Sequence, residues 1–279
     1  MLEQNDRRQN ATVYLTVYVI LDRVRINSPQ LQQSADSAAI AQRHTYIVIP
    51  TFNERANIGN LLERLLSLYP EIHVLVVDDH SPDGTSDAVR QLQRSHRTVM
   101  LLERLRDHGF AASYRDGFRL ALAEPECRAV VTMDADFSHD PAQIGKMLEK
   151  LAQCDVVVGS RYVAGGGVAN WRLRRRILSR GANFYVRAVL GLPVHDATAG
   201  FLCMRPEALK RVPLEGTRSN GYAFLVEMKY LLHVAGCRMM EHPIVFDERR
   251  EGESKMSIGK IWESLWLPWR IQRQARKKS

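Results

Sequence analysis

Cysteine is sparse in this 279-residue sequence. Cys127, Cys154, Cys203 and Cys237 stand too far apart for a chelating or redox spacing. That excludes zinc ribbons and dithiol chemistry, and it suits a reduced, cytoplasmic setting. Long apolar runs are missing as well: nothing reaches the ~18 residues of a membrane span. The nearest, Ala11 to Leu21, is short and has no signal-peptide cleavage pattern. There are no internal repeats and no low-complexity tracts. Two nucleotide-binding signatures are also absent. No G-x-G-x-x-G follows the first strand, where Pro50-Thr51-Phe52-Asn53-Glu54-Arg55 stands instead, and no G-x-x-x-x-G-K-[ST] loop occurs anywhere. A dinucleotide-dependent dehydrogenase and a P-loop ATPase are thereby excluded.

What is present is a globular composition, with 45% hydrophobic and 25% charged residues. The formal charge of +8 calls for an anionic partner: nucleic acid, a membrane surface or a phosphorylated substrate. From Tyr46 the chain alternates strands and helices. Tyr46–Ile49 reads as a strand stopped by Pro50, and Ile58, Leu61, Leu62, Leu65 and Leu66 carry helical spacing. Strand Ile72–Val77 ends at Asp78-Asp79, and the turn from His80 to Thr85 feeds a second helix. Strand Val99–Leu102, helix Phe110–Ala123, a strand ending near Asp134, helix Ala142–Leu151 and strand Asp155–Val158 follow. This order predicts an α/β fold, a mostly parallel twisted sheet with helices on both faces.

The run Val130-Val131-Thr132-Met133 ends at Asp134-Ala135-Asp136. In an extended chain Asp134 and Asp136 would share one face, at the carboxyl edge where open α/β sheets bind ligands. Two hard oxygens there suit Mg²⁺ or Mn²⁺ holding substrate phosphates. The alternative, a capping role for one aspartate, is already filled by Asp140 ahead of Pro141. An aspartyl-nucleophile phosphohydrolase is the rival chemistry, but its nucleophile usually follows the first strand. Asp78-Asp79, on the same sheet edge, could hydrogen-bond a nucleoside.

After Gly159 the character changes. Gly165-Gly166-Gly167 reads as a mobile loop and Trp171–Leu190 as a basic amphipathic helix. Arg172, Arg176, Ser179, Arg180, Asn183 and Arg187 run along one stripe, and Ile177, Phe184 and Leu190 lie elsewhere. Few acids accompany these arginines, which weighs against a merely solvated face. Thr198–Arg205 and Arg238–Phe246 read as strands and Tyr222–Val234 as a helix. Near the C-terminus Ile258, Trp262, Leu265, Trp266 and Trp269 recur at helical spacing ahead of Arg270, Arg273, Arg276, Lys277 and Lys278. That segment either lies on an anionic membrane surface or packs on the catalytic domain. Three regions result: an extension over 1–43, a catalytic domain over 44–257 and a basic Trp-rich segment over 258–279.

Pro50-Thr51-Phe52-Asn53-Glu54, Asp78 through Thr85 and Asp134-Ala135-Asp136 together resemble the inverting glycosyltransferases of GT-A type. Gly159-Ser160-Arg161-Tyr162, the triple glycine, Trp171, Arg175, Ser179, Ala199-Gly200-Phe201 and Arg249 through Ser257 narrow the resemblance to polyprenol (dolichol) phosphate mannose synthases. The resemblance implies transfer of mannose from GDP-mannose to a polyprenyl phosphate, with inversion. It implies that Pro50, Phe52, Glu54, Val77 and Asp79 hold the guanosine side of the donor. Asp134, Ala135 and Asp136 would hold the donor diphosphate, with Asp134 and Asp136 binding the Mg²⁺ or Mn²⁺ ion. Arg249 and Lys255 would clamp the diphosphate, and Arg161, Arg175 and Ser179 would receive the lipid phosphate. Asp136, Arg161 and Arg175 would be the catalytic residues.

Two positions depart from the family pattern. Ser138 stands where relatives often have a third metal-binding glutamine, and His108-Gly109-Phe110-Ala111-Ala112 replaces a glycine-rich run. Related enzymes use other donors such as UDP-glucose, and the motifs do not separate them. Some relatives carry C-terminal membrane spans. Without one, the expectation is a peripheral protein on the cytoplasmic face of a membrane, with a membrane-spanning partner as an option and no nucleic-acid role.

Overall fold

The computed structural model describes residues 42–217, 219, 221, 223–247 and 266–273. Arg249, Lys255 and most of the 1–43 and 258–279 regions therefore lie outside the described residues. A seven-stranded sheet forms the centre, in the order β3-β2-β1-β4-β7-β5-β8. Its strands are β1 (Thr45–Thr51), β2 (His73–Asp78), β3 (Val99–Glu103), β4 (Ala129–Thr132), β5 (Val156–Ser160), β7 (Leu202–Met204) and β8 (Met239–Pro243). All neighbours run parallel except β7, which is antiparallel to both β4 and β5. A two-stranded parallel ribbon, β6 (Gly167–Val168) with β9 (Val245–Phe246), stands beside the sheet.

Helices cover both faces, as the alternating pattern predicts. Along β1 and β2 side chains alternate: Ile47, Ile49, Val74 and Val76 enter one core, while Tyr46, Val48, Leu75 and Val77 enter the other. The first core is closed by α1 (Arg55–Leu68), α2 (Thr85–Gln93) and α4 (Ile144–Leu151). The five apolar residues picked out by spacing in α1 are all buried. The second is closed by α3 (Phe110–Ala123), α5 (Leu173–Leu190) and α7 (Ala223–Val234), with the short α6 (Pro206–Lys210) beside them. In α3, Gly117 lets the helix lie against β1, because a Cβ there would meet Val48 Cγ1 at 2.4 Å.

Four expectations are corrected. β1 does not stop at Pro50 but continues to Thr51. The Val48 carbonyl accepts from Met133 N, so Pro50, two residues on, faces β4 beyond the last ladder position, where no partner asks for its missing N–H. Gly167 is not in a free loop; it pairs with Val245. Arg238–Phe246 is two strands rather than one: at Ile244 the chain leaves the large sheet, its N–H bonding Ser160 O while its carbonyl accepts from Gly167. Thr198–Arg205 yields only the three residues of β7, with Thr198–Gly200 a loop serving the site.

The described C-terminal residues 266–273 are helical. Leu267 and Ile271 are buried in the core shared with α5, and Trp266 and Trp269 face outward. Trp269 Nε1 donates to Tyr185 Oη at 3.1 Å. Over these eight residues the packing alternative holds for the aliphatic side chains, which dock the helix, while the two tryptophans are exposed. No helix among the described residues is long and apolar enough to cross a membrane.

Candidate functional site

Three strand ends, β1, β2 and β4, open on one edge of the sheet, and the sequence-predicted acids gather there. The two acids after β2 divide their work. Asp78 is fully buried and accepts from Thr51 Oγ1, Ser81 N and Oγ, and Ser86 Oγ at 2.6–2.9 Å. It fixes the His80–Gly84 turn. Asp79 sits at the surface of the cleft, where Oδ1 meets Arg104 Nη1 at 2.7 Å and His108 Nδ1 at 3.1 Å. Its Oδ2 accepts from Gly109 N at 2.7 Å. Gly109 takes φ = +142°, a conformation that L side chains rarely adopt. Arg104 is buried between Asp79 and Asp116, with Nε to Asp116 at 2.7 Å. Burial alone would lift the Asp83 carboxyl, but hydrogen bonds from Thr85 and the Arg55 amide hold it below the usual range. Phe52 and Pro50 stand at the same rim, Phe52 about half exposed, and Glu54 accepts from Asn57 Nδ2. Val77 is buried beneath them.

The aspartate pair is placed differently from the extended-strand expectation. β4 ends at Thr132, so Asp134 and Asp136 lie in the bend that follows it rather than on one strand face. The cause is local hydrogen bonding. Asp136 Oδ1 accepts from Ser138 N, and the Asp134 N–H donates to His139 Nδ1 at 3.1 Å, with Phe137 at φ = +61° between them. His139 is buried, stacked on Phe201 with centroids 5.0 Å apart; burial lowers its pKa to about 4, so it is neutral. As expected, Asp140 caps the next turn, accepting from Ala142 N ahead of Pro141.

The pair fits a divalent cation by one further observation. Ser138 Oγ is buried with no hydrogen-bond partner, an uncommon state for a hydroxyl. With the two carboxylates it makes a third hard oxygen in one turn of chain. Among the described residues no group of three or more His, Cys, Asp or Glu could hold a metal, so the set would be two carboxylates and a hydroxyl.

The basic residues converge on one indole. Arg175 Cζ lies 4.0 Å from the centroid of the Trp171 ring and Arg161 Cζ lies 5.7 Å from it. Tyr162 and Phe246 also face the Arg161 guanidinium, at 5.2 and 5.4 Å. Asp196, fully buried, grips Arg161 with Nε to Oδ2 and Nη2 to Oδ1, both 2.7 Å, and also takes the Arg161 N–H. Burial pulls the guanidinium pKa down, but Asp196 more than offsets it and the net shift is upward. Ser179 Oγ bonds Tyr162 Oη at 2.7 Å. Trp171 Nε1 is a second buried atom without a partner. The fully buried Lys229 donates to Ala199 O at 2.6 Å; desolvation drops its pKa to about 7, with nearby Asp196 opposing.

The sequence-predicted residues thus form two groups. Pro50, Phe52, Glu54, Val77, Asp79, Asp134, Ala135, Asp136 and Ser138 gather where β1, β2 and β4 end. Arg161, Arg175 and Ser179 stand on the β5–α5 side. Sequence reasoning missed Asp196 and Thr198, which position Arg161, and Arg104, which holds Asp79; it named Asn183 and His108 but not their roles, Asn183 bonding Thr198 and His108 meeting Asp79. His195-Asp196-Ala197-Thr198, a short polar run just before a buried strand, was the available signal.

The glycosyl transferase family 2 profile matches residues 46–212. A polyprenol monophosphomannose synthase of Mycolicibacterium smegmatis is 39% identical over 226 residues, covering 80% of this chain and 85% of the relative. An undecaprenyl-phosphate mannosyltransferase of Micrococcus luteus is 41% identical over 218 residues, covering 78% and 89%. Among solved structures, glucosyl-3-phosphoglycerate synthase of Mycobacterium tuberculosis, in complex with Mn²⁺, UDP and product, superposes with a TM-score of 0.56. It has 16% identity over 85% of this chain and 80% of that one, a likeness of fold. With the predicted sheet, the edge acids and these relatives together, the chain belongs to glycosyltransferase family 2.

Proposed function

We propose that this enzyme transfers mannose from GDP-mannose to a polyprenyl phosphate with inversion. The observation that supports it most is the pair of guanidiniums, Arg161 and Arg175, set over Trp171, an arrangement suited to a phosphate acceptor. An acceptor phosphate is already anionic at neutral pH, so no strong general base is required. Neutral His139, its Nδ1 engaged by the Asp134 amide, is left a structural part. The difficulty is instead to bring two anions together. Arg175 and Ser179 orient the acceptor phosphate, while Asp196 keeps Arg161 charged and fixed beside it. Attack on the anomeric carbon from the side opposite the diphosphate yields a β-mannosyl phosphate from an α-linked donor.

Asp134, Asp136 and Ser138 would hold Mg²⁺ or Mn²⁺. Bound there, the ion supplies charge neutralisation for the diphosphate leaving group. Asp79, anchored by Arg104, is the carboxylate available to the nucleobase. A lipid acceptor places the protein at a membrane surface. The test is direct: GDP-mannose, UDP-glucose and other nucleotide-sugars are offered with polyprenyl phosphate and either ion, and the lipid product is weighed by mass spectrometry. Mannosyl transfer from GDP-mannose is the expected result; transfer only from UDP-glucose would reassign the donor.

A further inference from the structure

A cavity of about 290 Å³ lies between α5 and the segment after β5, lined by Arg161, Tyr162, Val163, Gly166, Arg180, Asn183, Phe184, Arg187 and His195. Arg161 is already balanced by Asp196, and His195 Nδ1 is engaged by Glu241. Arg180 and Arg187 are not: their side chains make no ion pair or hydrogen bond among the described residues. No carboxylate lines the space. A half-open hollow with two unneutralised guanidiniums raises the local potential and offers paired N–H donors to an oxyanion. The volume is near the lower end of ligand pockets, room for a small head rather than a nucleotide.

The rim shows what carries that head. Residues on a helix turn by roughly 100° each, so Arg180 and Arg187 share one edge of α5 and Leu173, Ile177 and Phe184 share the next. Those three apolar side chains are 71%, 63% and 73% exposed. Phe184 itself lines the cavity mouth. Of the three apolar residues expected away from the arginines, Ile177 and Phe184 lie immediately beside them, facing outward, while Leu190 turns to the core with Val186 and with Asn183, which was expected on the basic stripe.

We propose that this cavity is a second anion site, binding a phosphate group distinct from the one that reacts, with Arg180 and Arg187 as its arms. Its ligand chemistry is a phosphate oxyanion, supplied by a lipid headgroup or by free phosphate. Arg161 borders both this cavity and the acceptor side, but Arg180 and Arg187 lie roughly 80° or more around α5 from Ser179 and Arg175, so the arms serve a separate site, and it stands whichever sugar the enzyme transfers.

The experiment uses the full chain and two probes: inorganic phosphate followed by calorimetry, and flotation with phosphatidylcholine vesicles with and without phosphatidylglycerol. Arg180→Gln/Arg187→Gln removes the arms. Val163→Phe narrows the cavity with every charge kept, and Phe184→Trp, an exposed change that crowds the mouth and also keeps every charge, replaces it should Val163→Phe melt early. Arg172→Gln/Arg174→Gln removes the same charge from the same helix outside the cavity. The expected result is a loss of roughly tenfold or more in anionic-vesicle affinity for the arm and cavity variants, with a clearly smaller loss for the control pair. Loss of phosphate binding with vesicle affinity intact assigns the site to free phosphate. If the two arginine pairs cost the same, or if the cavity variant binds both probes as wild type does, the cavity is no site and the proposal is overturned.

Discussion

Asp136 is 5% exposed, tied to its own turn, and adjacent to the orphaned Ser138 hydroxyl. Asp136→Asn should therefore leave the melting curve nearly unchanged and lower kcat by about two to four powers of ten, the cost of losing a strong electrostatic group. Near-normal turnover would remove the pair from the reaction. Asp196 is a different case, because its loss leaves the largely buried Arg161 charge without compensation. Asp196→Ala is expected to cost about 3–5 kcal/mol of stability, whereas the double change Arg161→Met/Asp196→Leu costs less, as read by urea melts. Lys229 sets a pH dependence. Its folded pKa of about 7 lies below the ordinary lysine value, so the unfolded chain binds the extra proton between about pH 7 and the ordinary value near 10.5. Stability from this group is lost as pH falls through that window, and the penalty is complete below pH 7. Lys229→Met should flatten the rise in melting temperature between pH 7 and 10, and an unchanged slope would assign it to other groups.

At the scale of elements, helix spacing was legible and strand ends were not. The α1 leucines were readable because a 3.6-residue period needs only the residues themselves. That β1 runs through Pro50, that β4 stops before Asp134 and that the Arg238–Phe246 stretch changes sheets all depend on which neighbour is present at each rung. No single strand encodes its neighbours. For the same reason the edge acids were found by type and spacing while Asp196 was not: its role exists only once β7 folds back to bring it under Arg161. Close approach of α3 to β1 gives a sharp check. Gly117→Ala puts a methyl 2.4 Å from Val48 and should destabilise by about 1–3 kcal/mol, with partial rescue by Val48→Ala, in thermal melts. In the C-terminal helix, Ile271→Ala should cost about 2–4 kcal/mol while Trp266→Ala costs little, since the first is buried and the second exposed.

Across the whole molecule the proposed division of labour follows the sheet. The β3-β2-β1-β4 half presents Asp79 and the Asp134–Ser138 turn; the β5 half and α5 present Arg161, Arg175 and Ser179. Arg175→Ala should raise the KM for polyprenyl phosphate and leave GDP affinity unchanged, and Asp79→Ala should do the reverse, with calorimetry against GDP as the measurement. The opposite pattern would exchange the two half-sites.

The antiparallel strand β7 has a consequence for how such an enzyme diverges. Because β7 returns beside β5, the Gly159 N–H meets the Phe201 carbonyl at 2.8 Å, and everything between them is one excursion pinned at its root. That excursion carries Arg161, Trp171, Arg175, Ser179 and Asp196. Its closure entropy changes by only about 0.6 kcal/mol for each doubling of length. Insertions in the exposed turns between the two root residues are therefore tolerated, whereas α5, which closes the second core, and Gly167–Val168, paired with β9, stay fixed. On the proposed assignment, acceptor choice can drift in evolution through those exposed turns while the nucleotide-handling half keeps its frame.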